Sequence, residues 1–176
     1  VFAAGQSYES MTHFNVMALL QSIRISLKHA YKNRGHEIIV HCDENLQVYS
    51  YSGAMVQIFT NLIMNSLIHG FGEGVSGKVR SNGEVRSNGV ISIRVSLQES
   101  KLIIEYSDNG RGMSPEVLER IYSPFFTTNR DNGGTGIGMN IIHTIVTEQL
   151  GGSIDIFSEP NKGIQCTIAF SVSERT

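Results

Sequence analysis

The stretch Asp108-Asn109-Gly110-Arg111-Gly112-Met113 ends a predicted strand, and after a long connection Gly133-Gly134-Thr135-Gly136-Ile137-Gly138-Met139 opens a predicted helix. Alternation along residues 102–108 places Asp108 on the apolar face of its strand. An ionised carboxylate accepts hydrogen bonds but donates none, and it is costly to bury without a donor. Asp108 could therefore bind the amine of an adenine base, although Asp-Asn-Gly is also a good turn sequence.

The glycine cluster is suited to a close approach to phosphate. Gly133, Gly134, Gly136 and Gly138 allow positive φ and close backbone contact, and the run 137–150 that follows has helical character. Backbone N–H groups in the first turn of a helix attract anions. The cluster is a weak signal alone, because it matches neither GxxxxGK[ST] nor a GxGxxG directly after a strand. A flexible loop before an ordinary helix is the alternative.

A polar ladder runs along an apolar helix that we predict from about Ser52 to Ile68. Gln57, Asn61, Asn65 and His69 recur at every fourth position, so they share one face of the helix. Asparagine is a mediocre helix former, and two of them in so apolar a helix require a reason. The amide oxygen of Asn65 is a hard ligand of the kind that Mg²⁺ prefers. A solvated polar strip is the alternative.

The composition is that of an ordinary soluble globular domain. The chain has 176 residues, a hydrophobic content of 40% and a formal net charge of −2, which allow one domain with a sizeable core. No basic bias indicates nucleic-acid binding, no apolar run is long enough to span a bilayer, and no signal peptide is visible. Cys42 and Cys166 lack metal-ligand spacing, and Cys166 is expected in the core. We therefore expect a reducing, cytoplasmic compartment.

The periodicities predict an α+β fold, a two-layer sandwich in which a mixed sheet has helices packed on its one apolar face. Residues 1–11 lack periodicity and are interpreted as a linker or tail, and residues 12–176 as one domain. The segment 70–90 contains a short direct repeat, Val79–Gly83 and Val85–Gly89, and is predicted to be a mobile loop or a small hairpin extension. Helices are predicted over 12–33, 52–68, 115–121 and 137–150, and strands over 37–42, 47–51, 91–97, 102–108, 153–158 and 164–172.

Three spaced blocks of sequence are together far more specific than any one of them. Asn61-Leu62-Ile63-Met64-Asn65, Asp108–Met113 and Gly134–Met139 resemble the asparagine box and the two glycine boxes of the catalytic, ATP-binding domain of bacterial sensor histidine kinases. Phe125-Phe126-Thr127-Thr128 resembles the phenylalanine box between them, and the tail 151–163 matches the end of that domain. The resemblance covers nearly the whole chain. It implies the fold of the wider GHKL superfamily, with a long ATP-lid loop and with ATP and Mg²⁺ as cofactors.

The resemblance assigns the two ends of ATP to different residues. Asn65 would be a ligand of Mg²⁺ beside the phosphates, and Asn61 would lie close to them. Asp108 would accept a hydrogen bond from the adenine amine, while Gly110 and Gly112 would shape that pocket. In the remaining assignments Met113 and Ile137 line the base and lid region, and backbone groups of Gly134, Thr135, Gly136, Gly138 and Met139 face the phosphates.

The same resemblance implies a mobile lid over the nucleotide. Residues 112–135 would form this lid, with Phe125 and Phe126 packing at its base. Arg130 in the lid is a candidate contact for the γ-phosphate, with a solvated loop arginine as the alternative. His69 either contacts phosphate or simply ends its helix.

The chain departs from the family pattern in three ways. Many members have a lysine where this chain has Ile68, and their last strand often begins Gly-Thr rather than Gly163-Ile164. None of the six histidines has the His-Glu/Asp-x-x-x-Pro context of a phosphoacceptor. The resemblance therefore implies a catalytic domain with little turnover alone, which transfers the γ-phosphate of ATP to a histidine on a dimerisation domain, in the same protein or in trans. A response regulator would be a further partner, and neither nucleic acid nor membrane would contact this domain.

Other classes of the superfamily remain as alternatives. ATP-hydrolysing machines of the gyrase and Hsp90 groups place a catalytic glutamate four residues before the metal-binding asparagine. This chain has Asn61 there, so a general base for water is missing. Anti-sigma-factor serine kinases resemble residues 65–71, but they also carry that glutamate. A degenerate, non-enzymatic kinase is disfavoured because the boxes are intact.

Overall fold

The computed structural model describes residues 10–72, 79–81, 84–86, 88–126 and 138–173. The helices are α1 (Val16–Ser26), α2 (Lys28–Lys32), α3 (Ser52–Asn65), α4 (Pro115–Arg120) and α5 (Gly138–Thr144). The strands are β1 (Thr12–Asn15), β2 (Glu37–Cys42), β3 (Gln47–Ser50), β4 (Val79–Ser81), β5 (Glu84–Arg86), β6 (Val90–Gln98), β7 (Lys101–Asp108), β8 (Ser153–Ser158) and β9 (Ile164–Ser171).

Five strands form one mixed sheet in the order β2-β6-β7-β9-β8. β2 pairs with β6 in parallel, and the other three pairings are antiparallel. Alternation between buried and exposed positions along β6, β7 and β9 leaves one face of the sheet for a core. The predicted α+β fold with a mixed sheet is therefore confirmed.

The helices cover the apolar face of this sheet. Among them, α3 is in contact with both α1 and α5. The other face is solvated, and there Arg94 and Glu105 form an exposed ion pair at 3.8 Å. Cys166 is buried as expected. Burial and, as a smaller cause, the negative charge of Asp155 raise the pKa of its thiol to about 12. The buried side chains of α3 are Ala54, Met55, Ile58, Phe59, Leu62 and Ile63.

The single helix predicted over 12–33 is wrong in two places. Residues Thr12–Asn15 form β1 and pair antiparallel with β3, and the Oδ1 atom of Asn15 caps α1 by accepting from the N–H of Ala18 at 2.7 Å. The helix then breaks at Leu27. Just before the break, the hydroxyl of Ser26 donates to the carbonyl of Ser22 at 2.9 Å, a side-chain bond that competes with the helical ladder.

Two predicted helices end in a wider turn than α-helical geometry provides. π-helical segments run over Ser66–Gly70 after α3 and over Ile145–Gln149 after α5. In the first, the N–H of Phe71 donates to the carbonyl of Ser66 at 2.8 Å, which is the five-residue spacing of a π turn. Such turns are frequent at functional sites. Ser66–Gly70 is called the π segment below.

The repeat region forms a hairpin in its described part. β4 and β5 pair antiparallel, so the small hairpin extension is the correct one of the two readings offered for this segment.

Within the described ranges, no helix is long and apolar enough to cross a membrane.

Candidate functional site

Asp108 lies at the end of β7, between β6 and β9, and only 8% of it is exposed. Its Oδ1 atom accepts a hydrogen bond from the N–H of Gly110 at 2.9 Å. Its Oδ2 atom lies 2.5 Å from the hydroxyl oxygen of Ser66 on the π segment. Burial raises the pKa of Asp108, while the Ser66 hydroxyl and the backbone N–H groups of Gly110 and Ile164 oppose that rise.

A chain of hydroxyl groups continues from this carboxyl into the core. The Ser66 Oγ atom lies 2.6 Å from Oη of Tyr106, and that phenol donates to the carbonyl of Leu62 at 3.0 Å. Both residues are buried, because only 1% of Ser66 and 2% of Tyr106 is exposed. Sequence reasoning missed both as site residues. The available signal was Ser66 itself, a polar residue next to Asn65 in an apolar helix.

Glycines let the backbone close around Asp108. A Cβ atom at Gly110 would lie 2.7 Å from the carbonyl oxygen of Gly70, so only glycine fits there. The same carbonyl accepts from the N–H of Arg111 at 2.9 Å. Gly163 has a φ of +70°, and a Cβ there would overlap the backbone oxygen of Asp108. The end of the π segment, the loop after β7 and the start of β9 are thus held together around one carboxyl.

Ser158 holds the loop after β7 against the turn between β8 and β9. Its hydroxyl accepts from the N–H of Met113 at 2.9 Å and donates to the carbonyl of Gly163 at 2.6 Å. Gly112 has a φ of +66°, and a Cβ there would overlap the carbonyl oxygen of Glu159. The predicted roles of Gly112 in shaping the pocket and of Met113 in lining the base and lid region remain predictions. Sequence reasoning did not identify Ser158.

The two asparagines of the polar ladder meet the first residue of α5. A Cβ atom at Gly138 would lie 3.2 Å from Oδ1 of Asn65 and 3.3 Å from Oδ1 of Asn61. Asn61 donates through Nδ2 to the carbonyl of Gln57 at 2.9 Å. The Nδ2 atom of Asn65 is buried and has no hydrogen-bond partner in the described part of the chain. Such a group requires an explanation, because unpaired buried polar atoms are rare.

His69 and Met139 lie at the borders of this arrangement. His69 is half-buried in the π segment, and burial together with the positive charge of Arg111 lowers the pKa of its imidazole. This shift favours the neutral imidazole, and its contact with phosphate stays a prediction. Met139 is the second residue of α5 and packs against the core.

The two phenylalanines after α4 have different surroundings. The guanidinium of Arg120 lies over the ring of Phe126, 4.4 Å from the ring centroid. The Phe125 side chain is 68% exposed and its backbone has a φ of +62°. The expectation that both rings pack at the base of a lid stays a prediction. Part of the predicted site lies outside the described residues, namely Arg130, Gly134, Thr135, Gly136 and Ile137, together with the motif residues Thr127, Thr128 and Gly133.

A metal ion bound at this site would have few protein ligands. The described residues contain no group of three or more His, Cys, Asp or Glu side chains that could hold an ion. A single amide oxygen, supplied by Asn65, suits Mg²⁺, which usually keeps several waters and shares substrate phosphates. The arrangement can thus bind a ligand that brings both a hydrogen-bond donor for Asp108 and an anionic group for the asparagines.

Comparison with known proteins identifies a family for most of the chain. Residues 51–174 match the family model described as histidine kinase-, DNA gyrase B- and HSP90-like ATPase. A putative sensor protein of Shewanella frigidimarina is 29% identical over 147 residues, which are 83% of this chain and 20% of that protein. The sensor histidine kinase ZraS of Salmonella typhimurium is 34% identical over 122 residues, 69% of this chain and 22% of that protein. The chain thus spans about a fifth of the curated relatives it matches.

Solved structures share the fold. The catalytic domain of histidine kinase ThkA superposes with a TM-score of 0.73 at 23% identity, covering 92% of this chain and 95% of that one. Full-length ShkA in complex with AMPPNP gives a TM-score of 0.73 at 19% identity, covering 94% of this chain and 32% of that one. At these identities, the similarity establishes the architecture.

Proposed function

We propose, from the premise that this chain belongs to the family of histidine kinase-, DNA gyrase B- and HSP90-like ATPases, that it transfers the γ-phosphate of ATP to a histidine that lies outside it. The resemblance drawn from the sequence boxes is confirmed, and the chain is an ATP-binding domain of the histidine kinase type. The residues that hold the nucleotide, the metal and the phosphate acceptor are the proposed part.

The observation that carries the proposal is the buried Nδ2 atom of Asn65, which has no hydrogen-bond partner among the described residues. Leaving such a donor unpaired costs about 1–3 kcal/mol, and a phosphate oxygen would satisfy it. The oxygen of the same amide would be the ligand for Mg²⁺, with phosphates and water completing the coordination. Asn61, whose oxygen approaches the same residue of α5, would lie beside the phosphates.

At the other end of the nucleotide, Asp108 would accept a hydrogen bond from the adenine amine. Gly110 and Gly112 would leave room for the base, and Met113 would line it. Asn65 is the last residue of α3 and Ser66 is the first residue of the π segment. In the proposal, the phosphate end and the adenine end of the site are therefore connected through two consecutive residues. Fixed separation of the two ends is what phosphoryl transfer requires most, because positioning supplies much of its rate.

When bound, Mg²⁺ would neutralise charge on the phosphates. No side chain near Asn65 is proposed to act as a base, because the amide of Asn61 cannot take a proton from water. ATP hydrolysis of the gyrase type is therefore the weaker candidate. Serine kinase activity of the anti-sigma-factor type is disfavoured for the same reason.

Partners and boundaries are proposals of the same kind. Residues 12–176 would form the domain, preceded by a linker over 1–11. The acceptor histidine would lie on a dimerisation domain, and a response regulator would receive the phosphate. ThkA has been crystallised in complex with the response regulator TrrA, which supports that class of partner. We expect the domain to work in the cytoplasm without contacting membrane or nucleic acid.

Replacing Asn65 by alanine is expected to remove the effect of Mg²⁺ on nucleotide binding. Titration calorimetry with a non-hydrolysable ATP analogue should give tighter binding by the wild type with Mg²⁺ than without. Asn65→Ala should lose at least about tenfold in affinity with Mg²⁺ present, because metal-site substitutions typically cost that much. Without Mg²⁺, the two proteins should differ much less.

Gln57→Ala is the matched control, because Gln57 lies on the same ladder but two turns earlier, and is exposed. It should bind like the wild type. If Asn65→Ala keeps the full response to Mg²⁺, the metal is held elsewhere. If neither this chain nor a longer protein with its dimerisation domain binds the analogue, the proposed function is wrong.

A further inference from the structure

Four oxygen atoms lie in a row behind the candidate adenine site. The Oδ2 atom of Asp108 is 2.5 Å from Oγ of Ser66, which is 2.6 Å from Oη of Tyr106, which is 3.0 Å from the carbonyl oxygen of Leu62. All three distances are within hydrogen-bonding range for O–H donors. Asp108, Ser66 and Tyr106 are buried, so unmet contacts in this row are costly.

The row contains three contacts, and each requires one hydrogen. Ser66 and Tyr106 supply one hydrogen each, while an ionised carboxylate and a carbonyl supply none. With Asp108 ionised, one contact joins two oxygens with no hydrogen between them. With Asp108 protonated, every contact is filled: the acid donates to Ser66, Ser66 donates to Tyr106, and Tyr106 donates to the carbonyl of Leu62.

We propose that Asp108 is a neutral carboxylic acid in the nucleotide-free chain, that binding of adenine releases its proton to solvent, and that Ser66 and Tyr106 are the positioning residues which set this exchange. The second part rests on the proposed function, since it requires adenine at Asp108. One proton leaves the protein for each nucleotide bound, so the affinity for nucleotide rises with pH below the pKa of Asp108 in the free chain.

Binding favours the ionised form because a hydrogen bond to a charged acceptor is roughly twice as strong as one to a neutral acceptor. The adenine amine brings such a donor. Loss of the proton reverses the row, so that Tyr106 donates to Ser66 and Ser66 donates to the carboxylate. The carbonyl of Leu62 then keeps its helical bond, since it also accepts from the N–H of Ser66.

Burial of Asp108 agrees with the neutral form, because burial is the largest influence on its pKa and raises it. The titratable or charged groups on the surrounding elements include Tyr106 on β7, Cys166 on β9, His69 on the π segment and Arg111 in the loop after β7. Arg94 on β6 and Glu105 on β7 lie on the opposite, solvated face of the sheet. Burial raises the pKa values of Tyr106 and Cys166. His69 has a lowered pKa and gains charge only in acid.

Two substitutions are expected to shift the pKa of Asp108 in opposite directions. In the neutral row Ser66 donates to Tyr106, and Tyr106→Phe removes that acceptor. In this variant Ser66 can still donate to an ionised Asp108. The pKa should fall by about one unit, the equivalent of one buried hydrogen bond. Ser66→Ala removes the donor to the carboxylate, so the pKa should rise by a similar amount. A merely structural role would weaken binding in both variants without opposite shifts.

The first experiment titrates the side-chain carboxyl carbon of Asp108 by ¹³C NMR in the nucleotide-free chain, with Asp108→Asn to assign the signal. We expect Asp108 to ionise well above the usual range of an aspartate carboxyl, with the opposite shifts in the two variants. Ser107→Ala, on the opposite face of the same strand, should leave the titration unchanged. Ionisation of Asp108 within or below the usual range of an aspartate carboxyl would overturn the proposal.

The second experiment counts released protons by calorimetry of an ATP analogue with Mg²⁺ in buffers of different ionisation enthalpy. Phosphate protonation contributes equally for the same ligand, so the wild type and Tyr106→Phe are compared at one pH below both midpoints and one between them. Between them, Tyr106→Phe should release fewer protons. Equal release in both proteins would overturn the coupling. If no nucleotide binds, the proposed function fails, while the carboxyl titration still decides whether Asp108 is neutral.

Discussion

Asp108→Asn should lower the affinity of the chain for an ATP analogue about a hundredfold while leaving the fold intact. Asparagine has the same shape, and its amide oxygen can still accept from the N–H of Gly110, as Asp108 does at 2.9 Å. Its NH₂ group can donate to Ser66, as the neutral acid is proposed to do. The charged acceptor for the adenine amine is lost, and a hundredfold change corresponds to about 2.7 kcal/mol, within the range for hydrogen bonds to charged groups.

The measurement is titration calorimetry above pH 7, with thermal unfolding of both proteins as the test of the fold. Asp155→Asn is the matched control, because Asp155 lies exposed on β8. It should bind the analogue like the wild type. Unchanged affinity in Asp108→Asn would mean that the base is bound elsewhere. A large loss of stability would mean that the carboxylate has a structural role that the hydrogen bonds do not reveal.

Gly163→Ala is expected to lower the free energy of unfolding by about 3–5 kcal/mol, in the range of the most damaging single substitutions. Gly163 has a φ of +70°, where an L side chain is strained. A Cβ there would also overlap the backbone oxygen of Asp108 and lie 3.0 Å from its Oδ1. Because β7 and β9 pair at this point, the overlap can be relieved only by separating the two strands. The affinity for nucleotide should fall with it.

Gly151→Ala separates strain from overlap. Gly151 has a similar φ of +61°, but a Cβ there would have no atom within 4 Å. It should cost only about 1–2 kcal/mol, the penalty of the left-handed conformation alone. Denaturant unfolding of both variants measures the difference. Equal losses would mean that the strand pairing at Asp108 yields easily, and that the glycine serves only the turn.

Periodicity in the sequence predicted the sheet well. Residues in β6, β7 and β9 alternate because one face of each strand is buried, and that pattern is local. The beginning of the domain could not be predicted in the same way. Thr12–Asn15 became a strand through pairing with β3, more than thirty residues further along the chain. Such pairing depends on tertiary contacts, which override local propensity.

The candidate site also combines features that are local in the sequence with features that depend on tertiary contacts. The spacing of Asn61 and Asn65 on one helix, and the position of Asp108 at the end of its strand, are local features that the sequence displays. Ser66 and Tyr106 enter the site through contacts over about forty residues of chain. Neither has a motif of its own, so only the fold reveals that both serve the same carboxyl.

The parallel pairing of β2 with β6 has a consequence for the order of folding. The β6–β7 hairpin is local, whereas β2 reaches its place beside β6 only after about fifty residues of intervening chain have closed into a loop. That loop contains α3 and the π segment. Closing such loops is slow, because their entropy is lost before their contacts form. We expect refolding chains to form the hairpin early and to acquire nucleotide affinity only in the last kinetic phase, so a nascent chain would bind no ATP until its sheet is complete.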